Sequence, residues 1–200
     1  MKRDGTGRSR PVQMGVPASG VVGEQVGVVG ELTVRHIRGG QVIFEETDRN
    51  LITNSGLSQF AKLAIGESNL GAFYIQIGTG GVDPLNPNTI LEPYATDKSL
   101  IDFYAEGETV RTIRESGFSG NPLPGDTYYV PYSAVAQVAY TFEFHETVRI
   151  PEAGLFTAPR DSNPIMLAHR IFFPREMVDQ DFLELVWEIG FARVPEKKTR

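Results

Sequence analysis

The stretch LELVWEIGFAR, residues 183–193, decides how the rest of the sequence is read. Leu183, Leu185, Trp187, Ile189 and Phe191 fall on one face of an extended chain, with Glu184, Val186, Glu188 and Gly190 on the other. That two-residue period is a strand with one face buried and one facing solvent. AVAQVAYTFEFHE repeats the pattern: Ala136, Val138, Tyr140, Phe142 and Phe144 point one way, Gln137, Thr141, Glu143 and His145 the other. IMLAHRIFF (165–173) reads as a third strand, with less regular alternation.

Working towards the N-terminus, ELTVRHI and VIFEETD are strand-like runs joined by Arg38-Gly39-Gly40-Gln41, a hairpin signal. In NSGLSQFAKLAIG, Leu57, Phe60, Ala61 and Ala64 follow the i, i+3, i+4, i+7 spacing of one helical face. Asn54 or Ser55 is placed to cap its first turn, and Gly66 to close its last in the left-handed conformation. Phe73, Ile75 and Ile77 alternate with Tyr74 and Gln76, a strand at ETVRTIR follows a long loop, and SGNPLPGD is rich in turn residues. Eight or so strands, one helix and no strand-helix repeat predict a mainly β protein. The expected body is an antiparallel β-sandwich or jelly-roll with one short helix.

Two hundred residues suit one filled core, and 40% apolar with 22% charged residues is an ordinary globular balance. The expected organisation is an extended Gly- and Val-rich basic arm over 1–30, a single sandwich domain over 31–192 and a basic tail over 193–200. No apolar run approaches the ~20 residues that cross a bilayer, and no apolar segment follows the N-terminal charges, so neither a membrane partner nor a secretory signal is expected. The absence of cysteine excludes disulfides and thiolate metal sites. The net charge of -6 is unevenly spread. Lys2, Arg3, Arg8 and Arg10 outweigh Asp4 at one end, and Arg193, Lys197, Lys198 and Arg200 outweigh Glu196 at the other, leaving a more acidic body between them. Basic ends on an acidic body can dock on an acidic neighbour, including a copy of the same chain, which makes Arg3, Arg8 and Arg10 candidate partner contacts. The same body would repel nucleic acid.

YIQIGTGG (74–81) asks whether a strand ends in a phosphate cradle. A P-loop needs a Gly-Lys pair entering a helix, but Val82-Asp83-Pro84 follows, and Asp83 occupies the third small position of a dinucleotide fingerprint. The glycines are therefore assigned to a tight turn needing positive φ, and no cofactor is expected. There is no Gly-x-Ser-x-Gly elbow, and His36, His145 and His169 are dispersed. A His145–His169 metal pair lacks ligand spacing, so no metal and no catalytic residue are assigned. Glu143 with Glu146, or Glu184 with Glu188, are the carboxylate pairs a glycosidase would require. The alternation of Glu184 and Glu188 with apolar neighbours already explains them as a solvated strand face. Tyr94, Tyr128 and Tyr129 suit stacking on sugars and define an alternative reading as a glycan-binding receptor module.

Five segments in fixed order carry a resemblance: NLITNSGLSQFAKLAIG (50–66), YIQIGTGG with Pro84, Thr89, Leu91 and Glu92, PEAGLF (151–156), AHRIFFP (168–174) and LELVWEIGF (183–191). Together they resemble small tailed-bacteriophage virion proteins, over about residues 45–192. Such proteins often place an arginine soon after the Leu-Glu step, where this chain has PYATDKS, and the 97–131 segment looks particular to this chain. The resemblance implies a non-enzymatic structural subunit of the tail, neck, fibre attachment or capsid surface. It would be made in the host cytoplasm, located in the virion, and partnered by other virion proteins and copies of itself, with no cofactor. Within PEAGLF, Gly154 is expected to permit close backbone approach while Leu155 and Phe156 insert into the core.

Overall fold

The computed structural model describes residues 25–67, 73–114 and 135–194. Twelve strands and one α-helix appear among them: β1 (Gln25–Arg38), β2 (Gln41–Arg49), β3 (Leu51–Ile52), α1 (Asn54–Ala64), β4 (Tyr74–Gly78), β5 (Val82–Asp83), β6 (Asn86–Ile90), β7 (Phe103–Glu108), β8 (Val110–Arg114), β9 (Val135–Glu143), β10 (Val148–Phe156), β11 (Met166–Met177) and β12 (Phe182–Val194). Two five-stranded sheets stack on each other, sheet A in the order β2-β1-β12-β9-β8 and sheet B in the order β3-β11-β10-β4-β7, while β5 and β6 form a separate hairpin. Every pairing is antiparallel. The expected antiparallel sandwich is the observed fold.

LELVWEIGFAR is the centre of sheet A. β12 lies between β1 and β9, and Leu183, Leu185 and Trp187 have no solvent exposure. They meet Leu32, Val34, Val138 and Phe142 from the same sheet and Ile75, Ile77, Ile150, Leu155 and Phe172 from sheet B in one core. The other face of β12 is less solvated than its alternation predicts, because Glu188 is buried beside Gln137, which donates to it at 3.1 Å. β1 begins at Gln25 and pairs with β12 as far as Val194, so residues 25–30 and 193–194, expected in the arm and the tail, are sheet residues.

The sandwich is closed differently along its two sides. On one, Thr109 is the single residue between β7 of sheet B and β8 of sheet A, and its amide and hydroxyl both donate to the Phe73 carbonyl. One strand thus crosses from sheet to sheet. On the other, two arginines of β11 reach β2. Arg170 bonds Asp48 and the Arg49 carbonyl, and Arg175 lies 3.2 Å from the Phe44 ring centroid and 4.0 Å from Glu46.

Helix α1 forms where the spacing places it, but it is rotated by about one residue. Gly56, Gln59 and Phe60 are buried with Leu63 packed beside them, while Leu57, Ala61 and Ala64 are exposed. The cap is Thr53, not Asn54 or Ser55: its hydroxyl accepts from the Gly56 amide at 3.0 Å and donates to the Met166 carbonyl at 2.6 Å. Gly66 closes the helix at φ +76, as its position implies. The rotation follows from Gly56. A Cβ there would lie 2.1 Å from the Leu167 carbonyl oxygen, so the glycine face is the one that can press against β11.

A Gly56→Ala substitution would gain ~1 kcal/mol of helix propensity yet meet a main-chain atom that cannot step aside. We expect a net loss of about 1–3 kcal/mol, read as a lower urea midpoint at unchanged m-value. A more stable variant would contradict the packing described.

Candidate functional site

The strongest concentration of buried charge lies on the outer face of sheet B. β10 turns Ala153 and Leu155 into the sandwich core, so Glu152, Gly154 and Phe156 face outward. That face is covered by the chain from Thr79 to Asp102, which carries the β5–β6 hairpin and returns across β10 and β11. Leu100 packs on Phe156, Met166 and Tyr74 as a second, smaller core.

Glu152 pins this cover. Its carboxylate, with no solvent exposure, accepts from the amides of Ile101 at 3.2 Å and Asp102 at 2.9 Å. The side chain of His169, equally buried on β11, stands beside it with Nε2 3.3 Å from Glu152 and Nδ1 2.8 Å from Asp97. Asp97 in turn accepts from the Tyr94 amide at 2.8 Å. Both ring nitrogens of His169 are therefore engaged and no part of the ring meets solvent, which suits a clamp. Presenting a proton to a substrate would require one nitrogen to open.

This cluster also answers the glycine question of YIQIGTGG. A Cβ at Gly78 would come 2.3 Å from the Asp102 carbonyl oxygen and 2.4 Å from Glu152, and one at Gly80 would sit 2.6 Å from the Ile101 Cβ. Only Gly81 has a positive φ, of +85. The turn reading thus holds for one glycine, while the other two make room for the buried carboxylate and the strap above it. Gly154 makes room for side chains and not for another backbone, since a Cβ there would lie 2.6 Å from the Phe156 ring and 3.1 Å from Leu100. Leu155 enters the main core as expected, but Phe156 enters the smaller outer one.

A second carboxylate holds the far end of the sandwich. Asp181, buried before β12, accepts from Arg38 Nε and Nη2 at 2.8 and 2.7 Å, from the Val178 amide at 2.9 Å, and pairs with His36 Nε2 at 2.8 Å. The Arg38 guanidinium, the Val178 amide and His36 hold its carboxyl well below the usual range, outweighing the opposing effect of burial. A cleft of about 420 Å³ opens here, lined by Arg38, Gly40, Glu143, Asp179 and Phe182. Another, of about 350 Å³, lies beside the strap between Gln76, Asp102, Phe103 and Arg160.

The residues singled out in the sequence are scattered. His145 is exposed and 3.8 Å from Asp179, far in character from the buried His169, and among the described residues no group of three or more His, Cys, Asp or Glu is arranged to hold a metal. Glu184 is bonded to Arg35 at 2.8 Å, and Glu188 lies four residues along the same strand, about 13 Å away at the strand rise. That exceeds both glycosidase separations. Glu146 accepts from the Tyr104 hydroxyl at 3.0 Å, and burial followed by this carboxylate raises the phenol's pKa. Tyr94 is 71% exposed on the strap. Tyr128, Tyr129, Arg3, Arg8 and Arg10 lie outside the described residues. Of the residues that organise the site, Asp97, Glu152 and Asp181 were not among the candidates, and His169 was weighed only as the metal-pair partner of His145. Glu152 left one signal, a lone carboxylate among the apolar residues from Ile150 to Phe156.

Asp181→Asn should lower stability at pH 7 by about 2 kcal/mol, the scale of hydrogen bonds to a charged group. Because the folded-state pKa is depressed, the wild-type advantage is complete above the unfolded carboxyl value near ~3.9 and fades as pH falls below it. Urea titrations of both proteins between neutral and acidic pH check this; a difference that widens on acidification would contradict it. Glu152→Gln should release the strap before the body unfolds, seen as faster amide exchange at Ile101 and Asp102 with β12 amides unchanged.

The sequence matches no family model, and no curated protein or solved structure matches it.

Proposed function

We propose that this chain is a non-enzymatic structural subunit of a tailed-phage particle, a tail, neck, fibre-attachment or capsid-surface component that assembles through its β-body and its N-terminal segment. The observation that carries this reading is where apolar surface is spent. Leu85 (95% exposed), Ile90, Leu91, Tyr94 and Ile101 all stand outward on the strap, whose underside is fixed by Glu152. A short segment held rigid from below and apolar above is suited to contact with another protein. The five segments that carry the virion-protein resemblance fit this, since they supply α1, the sheet B strands β4, β10 and β11 beneath the strap, part of the strap itself, and β12 at the centre of the opposite sheet. The carboxylates of Glu152 and Asp181 add to it, the first being bonded to main-chain amides and the second to a main-chain amide and a cation of the body.

A second reading, a glycan-binding receptor module, is favoured by Tyr94 alone. Its ring is exposed while its backbone is tied to Asp97 in both directions, giving a preorganised stacking surface.

Because β1 begins at Gln25, the deletion that separates segment from body is 2–24. The shortened protein is expected to fold, with wild-type circular dichroism, and to fail to enter particles. Leu85→Glu combined with Ile101→Glu should reduce incorporation in the same assay. Normal incorporation of both would refute the reading. On a glycan array, saturable sugar-specific binding lost with Tyr94→Ala would instead promote the receptor module.

A further inference from the structure

Strand β7 ends sheet B, bonded to β4 alone among the described strands. The Thr109 amide donates to the Phe73 carbonyl at 2.9 Å, which makes that pair a bonded one and sets the phase of the β4–β7 ladder. Bonded and open pairs alternate in an antiparallel ladder, so Ala105 and Gly107 bond towards β4 while the main-chain amides and carbonyls of Glu106 and Glu108 point away from the sheet. Among the described residues nothing bonds these outward groups. The two side chains share the outer face. Tyr74 donates to Glu108 at 3.1 Å, and Gln76 and the Arg160 amide donate to Glu106 at 3.1 and 2.8 Å. Arg160 turns its guanidinium onto the Phe103 ring, and among the described residues no cation pairs with either carboxylate.

The edge thus offers two bonding positions, two residues apart, each with an amide, a carbonyl and a carboxylate on one face. The sequence holds a segment with the complementary pattern. Arg8 and Arg10 alternate across Ser9, and Pro11 biases Arg10 towards extended backbone. Residues 12–24 separate this triplet from Gln25 at the start of β1, a tether of up to ~45 Å against a radius of gyration of about 16 Å for a chain of this length. The triplet can therefore leave its own body and reach another.

We propose that the N-terminal segment of one copy pairs antiparallel with the β7 edge of a second, Arg8 opposite Glu108 and Arg10 opposite Glu106, each copy giving its segment to the other. In this register each arginine exchanges main-chain bonds with the glutamate opposite, and the two opposite charges meet on the outer face. Ser9 and Pro11 fall at open pairs, opposite Gly107 and Ala105, where no amide is asked to bond, so the proline costs no hydrogen bond. Ser9 is also small on the crowded side, where a Cβ at Gly107 would meet the Tyr140 ring. A slip of one residue in either direction would turn both arginines to the inner face, and a slip of two would leave one glutamate without its arginine, so the register is fixed. The contact rests on the assembly reading and deepens it by naming what the N-terminal segment binds.

Sedimentation equilibrium of the full chain is expected to show a concentration-dependent dimer. Arg8→Glu and Glu108→Arg should each raise its Kd more than about tenfold, or ~1.4 kcal/mol. An equimolar mixture of the two should recover the dimer, because every segment then faces an edge of opposite charge. A general loss of stability would not be reversed by mixing, and Glu108, exposed and bonded to one hydroxyl, can be replaced without disturbing the core. Arg10→Pro, which removes a bonding amide, should weaken the dimer more than Arg10→Ala, whereas Ser9→Pro, at an open pair, should leave it unchanged. A wild type that stays monomeric at the highest attainable concentration overturns the proposal. So does a dimer indifferent to both charge reversals, a mixture that fails to reassociate, or a proline at Ser9 as harmful as one at Arg10. Lys198 and Arg200 share the spacing of the arginines, and a dimer that needs them and not Arg8 also overturns it. A monomeric wild type that still requires residues 2–24 to enter particles removes this contact and leaves the assembly reading standing. A dimer that responds as described but never enters a particle supports the contact and removes the particle.

Discussion

The fold rests on a constraint set by sheet B: it is buried on both faces, and one sandwich partner can cover only one of them. Sheet A covers the inner face through Leu185, Trp187 and their neighbours. The outer face, with Phe156, Met166 and Ile171, needs a second cover, and the chain spends residues 79–102 on it. The fixed points of this strap are polar, with the Glu152 carboxylate receiving two of its amides and His169 holding Asp97. Burying such a carboxylate is costly unless it is fully bonded, and here the bonds that satisfy it are the ones that position the strap.

That arrangement explains what could and could not be read from the sequence. The central strands β1, β9 and β12 of sheet A were legible because their large apolar residues alternate onto a buried face, and the two-residue period survives in Leu183, Leu185 and Trp187. The hairpin was legible from Gly39 and Gly40, whose φ values of +58 and +76 are what a tight two-residue turn requires. β10 and β11 alternate poorly because both their faces are buried. The long loop after Gly81 carried no periodicity at all, being shaped by what lies under it. Helix α1 was recognised but its face was misread. Leucine and alanine spacing suggested one stripe, whereas close approach at Gly56 selected the adjacent one.

The candidate site was less legible than the fold for a related reason. Glu152, His169 and Asp97 are separated by 17 and 72 residues in sequence, and only the pairing of β10 with β11 and the return of the strap bring them together. No local motif encodes such a meeting. Asp181 is similar, since its partners Arg38 and His36 arrive from the other end of the chain.

The segment from Phe103 to Arg114 belongs to both sheets, changing membership at Thr109. A sandwich joined only by side-chain packing can yield to a sideways load by letting one layer slip over the other. Here slippage would have to stretch a covalent backbone that is laddered into β4 on one side of the step and β9 on the other. Mechanical strain applied to either layer is therefore passed to both, and the body should give way as one rigid block instead of shearing apart.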